Sequence, residues 1–163
     1  MTKLLFPVLT AALLTGQAIA AQSKAGSIQG VWRIVEATIT GPQARTISFR
    51  ERPNLTIITA KHYSRVEVQA DGPRATLADP ATATADELRA AWGPFFGEAG
   101  TYEIDGNVIT MHPIAAKDPA AMKPDAFSTW SYKLEGDTLW VTAQKNQGGP
   151  IAHPVTVKAI RVE

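Results

Sequence analysis

Gly30-Val31-Trp32-Arg33-Ile34-Val35 opens the first strand-like run of the chain. Side chains alternate between the two faces of a strand, so Trp32, Ile34 and Glu36 fall together. The last such run, residues 155–162, puts Val155, Val157, Ala159 and Arg161 on one side and Lys158 on the other. An arginine on an apolar face is costly to bury alone. An indole offers it a partner, because a guanidinium stacks on an aromatic ring and still donates to strand-end carbonyls. If the first and last strands pair, Arg161 comes onto Trp32 and the sheet closes on itself.

Between these two runs the sequence reads as short β-prone segments punctuated by turn signals. Candidate strands lie at 30–40, 45–50, 55–59, 62–69, 100–104, 108–112, 128–134, 138–144 and 155–162. One helix interrupts them. Thr84-Ala85-Asp86-Glu87 is a capping box, Leu88, Ala91 and Trp92 follow on one face at helical spacing, and Gly93-Pro94 stops the run. Pro-bearing loops are expected at 113–124 and 148–154. The fold class these runs predict is all-β, a barrel or sandwich with one short helix.

The N-terminus predicts export. Lys3 precedes an apolar stretch at 4–14, too short to span a bilayer, and Ala18-Ile19-Ala20 is a small-residue cleavage site. The expected division is a signal peptide at 1–20 and a barrel domain at 21–163, in the periplasm or secreted. With Lys3 removed, 15 of the 16 basic residues face 15 acidic ones. A neutral, unclustered charge distribution argues against nucleic acid or an anionic membrane as the main partner. Without the signal, no stable membrane anchor is expected. The chain has no cysteine, which removes disulfides and thiol chemistry.

Faces follow from alternation and turn register. On 62–69 the even positions carry His62, Ser64, Val66 and Val68, against Tyr63, Arg65, Glu67 and Gln69 on the odd ones. The more apolar even face is expected inside, with His62 and Ser64 pointing into the barrel. A hairpin turning at Gly136-Asp137 pairs Leu134 with Leu139, Tyr132 with Val141 and Trp130 with Ala143. Trp130 and Tyr132 are then inside, with Lys133 and Trp140 outside. A two-residue turn at Asp105-Gly106 would face His112 outward. A three-residue turn through Asn107 would face it inward, opposite Gly100.

The order and spacing of several segments resemble those of the bacterial and fungal lipocalin-like domain proteins. They are Gly30 to Val35, Ile58 to Val66, Phe95-Phe96-Gly97, Gly100 to Ile104, Ile109 to His112 and Leu134 to Leu139. The chain departs from that pattern in carrying His62-Tyr63-Ser64 where such domains often have Asp-Gly-Arg. The resemblance implies an all-β fold, a single closed, mostly antiparallel eight-stranded barrel with one short helix and an interior cavity, and, since the family pattern keeps a histidine at position 112, it favours the inward register of His112.

No metalloprotease, nucleophile-elbow, phosphate-loop or dinucleotide motif is present. His62, His112 and His153 lack metal-ligand spacing, and neither a metal site nor a cofactor is predicted. Trp92, Phe95 and Phe96 are expected as a plug or lid at one barrel end. The leading functional expectation is an exported protein holding a small hydrophobic molecule in the barrel. Its candidate site residues are Glu36, His62, Ser64, Trp92, Phe96, Tyr102, His112, Trp130 and Tyr132. The alternatives are a barrel enzyme isomerising or cyclising a hydrophobic substrate, with His112 and Glu36 or Tyr102 as its acid/base pair, and a filled barrel acting as an interaction module.

Overall fold

A computed structural model describes residues 26–163; the expected signal peptide and its boundary at Ala21 lie outside the described residues. The elements in chain order are β1 (Gly30–Ile39), β2 (Arg45–Ser48), β3 (Asn54–Ile58), β4 (His62–Val68), α1 (Ala85–Trp92), β5 (Phe95–Asp105), β6 (Val108–Ala116), a single 3-10 turn (Pro119–Met122), β7 (Ser128–Glu135), β8 (Thr138–Asn146), β9 (Gly149–Pro150) and β10 (Val155–Arg161). Pairing runs β10-β1-β3-β4-β5-β6-β7-β8, and β8 pairs back onto β10. Eight antiparallel strands thus close a barrel with no free edge on the ring. The short β2 and β9 extend its rim on β1 and β8.

Closure carries the contact expected from the sequence. Trp32 pairs with Arg161 across β1 and β10, and the guanidinium carbon lies 4.2 Å from the indole centroid. Arg161 also donates to the carbonyls of Gln29 at 2.6 Å and Ser27 at 2.7 Å. The Trp32 indole N–H donates to the Ile28 carbonyl at 2.7 Å. Residues 27–29 are thereby pinned across this end of the barrel, with Ile28 buried in the core. Gly30 is explained by the same contact. Its φ is +140°, and a Cβ there would collide with Arg161 Nη1 and with the Glu163 carbonyl 2.7 Å away.

A β-bulge decides the rest of β1. Its register against β10 shifts between Ile34 and Glu36, so two residues oppose one and the alternation resets. Trp32 and Ile34 face in, Ala37 faces in beyond the bulge, and Glu36 is exposed. The expectation that Glu36 shares the Trp32 face is corrected by this inserted residue. At the same place β1 leaves β3 for β2. The Asn54 carboxamide covers the gap, accepting from Ile34 N–H at 2.6 Å and donating to Ile34 C=O at 3.1 Å.

The Gly136-Asp137 hairpin has the expected register: Leu134 opposite Leu139, Tyr132 opposite Val141, Trp130 opposite Ala143. Trp140 sits on the outer face, with the ammonium groups of Lys133 and Lys158 5.7 and 5.8 Å from its ring. The β5–β6 turn differs from both registers considered. It is a two-residue turn at Gly106-Asn107, with Asp105 opposite Val108 and Tyr102 opposite Met111. His112 therefore pairs with Thr101 and is exposed. Gly106 supplies the positive φ, +58°, that such a turn needs.

The capping box of α1 is complete: Glu87 accepts from Thr84 N–H at 2.8 Å and Thr84 Oγ1 accepts from Glu87 N–H at 3.3 Å. Phe95 and Phe96, expected with Trp92 as a plug or lid, instead begin β5. Lys117, beyond β6, donates to the Trp92 carbonyl and to those of Gly93 at 2.9 Å and Phe95 at 2.7 Å. It gathers the carbonyls left over where helix gives way to strand.

Candidate functional site

The barrel interior has two unlike halves. Around Trp32 it is packed: Ile58, Tyr63, Ile109, Leu139 and Ala159 are buried with it, and Tyr102, Met111, Tyr132 and Val141 pack against them. An apolar space of about 60 Å³ remains above them, bounded by Ile34, Met111, Trp130 and Val157. That holds a few waters, not a drug-sized ligand. Toward the rim carrying β2 the interior widens to about 430 Å³. The two spaces share Ile34, Arg65, Trp130 and Val157 on their walls. The wider one has an apolar side, including Ala37, Phe49 and Trp130, and a polar side made of Arg45, Arg52, Arg65, Glu67 and Gln69.

Arg65 and Glu67 of the polar side come from β4, whose faces are reversed from expectation. Tyr63, Arg65 and Glu67 point inward, while His62 is exposed and Val66 is 40% exposed. Pairing fixes this. Tyr63 lies opposite Ile58, and Arg65 lies opposite both Thr56 and Glu98. Cross-strand partners share a face. Ser64, opposite Ile57 and Ala99, accordingly faces out. Counting apolar residues picks the wrong face because this stretch of the interior is polar, and its charges are satisfied by one another.

Glu67 is 3% exposed. Its carboxylate accepts from Arg65 Nη2 at 3.2 and 3.1 Å and from Gln69 Nε2 at 2.7 Å. Arg65 is held flat on the Phe96 ring, 4.7 Å from its centroid. Glu98 lies beside this pair. Burial raises its carboxyl above the ordinary value; the Arg65 charge opposes that and the Glu67 charge adds to it. The Tyr63 phenol is raised too, first by burial and then by the Glu98 charge. Among the described residues Tyr63 Oη and Arg65 Nε are buried and complete no hydrogen bond of good geometry. Buried polar groups without partners are uncommon, and both lie in this cluster.

The raised Glu98 carboxyl sets a pH dependence. A group that binds its proton more tightly when folded contributes stability present below its unfolded value, 4.5, and lost as pH rises through the folded value. Glu98→Gln cannot ionise and escapes that loss. The variant is expected to unfold like the wild type near pH 4 and to gain on it toward pH 8 in urea denaturation. Parallel pH profiles would show Glu98 to be freely solvated.

The nine candidate residues separate clearly. Trp130 lines both spaces, its indole N–H donating to Ser128 Oγ at 3.0 Å. Phe96 faces inward as the platform under Arg65. Tyr102 and Tyr132 face inward but belong to the packed half, where their hydroxyls donate to the carbonyls of Thr59 at 2.6 Å and Gly106 at 3.4 Å. Neither lines the two spaces. Glu36, His62, Ser64 and His112 are on the outer face, and Trp92 is 52% exposed at the end of α1. The acid/base pair of His112 with Glu36 or Tyr102 is not assembled. Phe95 also faces out, under Arg74. Among the described residues no three His, Cys, Asp or Glu side chains group as metal ligands.

Sequence reasoning missed Tyr63, Arg65, Glu67 and Glu98. One signal was available: Arg65-x-Glu67-x-Gln69 alternates at the period of a strand face, so these three groups can bond one another wherever that face points. No protein-family model matches the chain, and no characterised protein matches it in sequence. Its class is defined by architecture: a closed eight-stranded antiparallel barrel with one short helix, compatible with a lipocalin-like fold.

Proposed function

We propose that the chain is an exported binding protein that takes a small, mostly apolar molecule into the wide half of the barrel. The observation that carries this reading is the interior space of about 430 Å³, apolar on one side and polar on the other. Its size falls within the range of small-molecule pockets, which pair apolar walls with a few orienting polar groups. The packed half beneath it supplies the rigidity that a preformed site needs. Export rests on the apolar stretch at 4–14 and Ala18-Ile19-Ala20, and requires a secreted form beginning at Ala21.

Trp130 is the apolar contact to test. It lines the cavity, whereas Trp140, on the neighbouring strand, faces outward between two lysines. Titration of the protein with a fluorescent fatty-acid analogue should saturate. Trp130→Ala should weaken the probe by roughly 1–3 kcal/mol through lost apolar burial, and Trp140→Ala should leave it within about twofold. Equal losses in the two variants, or no saturable binding by the wild type, would overturn an internal site.

A further inference from the structure

We infer that the molecule held in the wide half carries an anionic group, a carboxylate or its like, which binds at the rim against Arg52 and Arg45; this rests on the binding reading above. Three arginines and one glutamate line the cavity. The glutamate is not available to a ligand, because Arg65 and Gln69 occupy its carboxylate. The charge presented inward is therefore positive, and it is concentrated at one end.

Arg52 is built for the role. Its side chain is only 12% exposed, and its guanidinium lies 4.9 Å above the Phe49 ring, so it is ordered before any ligand arrives. Nε and Nη2 both donate to Asp71 Oδ1, at 3.0 and 2.6 Å. Nη1 has no partner among the described residues. Asp71 is 89% exposed, so the ion pair is weak and a carboxylate can compete for the fork. Arg45 lies at the same mouth. It pairs with Ile39 at the end of β1 and is itself exposed. Below the two cations are Ile34, Ala37 and Val157, an apolar floor. A ligand with its tail on that floor and its anion at the rim satisfies both surfaces. A ligand with an ammonium group meets two guanidinium groups instead.

The test uses 11-(dansylamino)undecanoic acid and its methyl ester, which share a body and differ in charge. The acid is expected to bind the protein about tenfold more tightly than the ester, in line with a charge-assisted hydrogen bond, and to lose that advantage as salt is raised. Arg52→Met keeps a stem to cover Phe49 and should reduce the acid-to-ester ratio at least about fivefold by weakening the acid alone. Asp71→Asn frees the Arg52 fork without touching the cavity, and should tighten the acid about two- to threefold with the ester unmoved. Equal binding of acid and ester, or equal weakening of both by Arg52→Met, would overturn the anionic assignment and leave the cavity reading standing. If neither probe saturates, the cavity reading fails and the assignment falls with it.

Discussion

Replacing Arg65 by methionine should lower the stability of the fold by about 3–5 kcal/mol, the usual cost of stranding one member of a buried ion pair. The reason lies in Glu67. Its side chain is 2% exposed, and two of its three hydrogen bonds come from Arg65 Nη2. Without them a buried carboxylate keeps only the Gln69 amide. Glu98 loses in the same step the Arg65 charge that favours its ionised form. The double variant Arg65→Met/Glu67→Leu should recover most of the lost stability, since apolar groups can replace a buried pair at little cost. Urea denaturation of the single and double variants measures both quantities. A single-variant cost under about 1 kcal/mol would mean that water already reaches Glu67.

The inward turn of these charges also explains what was legible in the sequence. Closure was readable from two residues, Trp32 and Arg161, because a buried cation must find a partner and the strand ends offered one. The β7–β8 faces were readable because Gly136, with φ +55°, fixes a tight turn, and every pairing beyond follows by alternation. Where alternation was disturbed, the reading failed. The bulge at Val35 turned Glu36 outward, and a two-residue turn at Gly106-Asn107, in place of the favoured three-residue one, did the same to His112. Neither event is encoded locally in a way that hydrophobic periodicity detects.

The candidate site was less legible than the fold, for a different reason. Assigning faces by hydrophobicity assumes an apolar interior. On β3 and β4 that assumption inverts: Leu55, Ile57 and Val66 are 37%, 41% and 40% exposed, while Thr56, Arg65 and Glu67 line the interior. This part of the barrel interior carries charged and polar groups that bond one another. Trp130 was found because its position depended on turn register. Arg65, Glu67 and Glu98 were missed because theirs was judged by polarity.

Trp32→Ala should cost about 3–5 kcal/mol, the range for deleting a fully buried large aromatic side chain. Trp32 is 0% exposed and touches the closure seam from three directions. It packs in the core with Ile28, Ile58 and Leu139, bonds the Ile28 carbonyl, and carries the Arg161 guanidinium on its ring. Arg161→Ala should cost less, about 1–3 kcal/mol, through lost packing and two lost carbonyl hydrogen bonds. The Asp137 contact at 3.4 Å adds little, because Asp137 is 84% exposed. The two losses should not add. Removing the indole takes away the platform on which Arg161 is ordered, so the double variant should fall short of the sum by about 0.5–2 kcal/mol. Both singles also loosen residues 27–29, which hang on the same two side chains, and amide hydrogen exchange at Val31 and Val162 should quicken in each. These two amides bond across the seam, Val31 to the Glu163 carbonyl at 3.0 Å and Val162 to the Val31 carbonyl at 2.8 Å. Strict additivity with unchanged exchange at the seam would mean that β1 and β10 close the barrel through their ladder alone, with Trp32 as ordinary core and Arg161 as a surface cap.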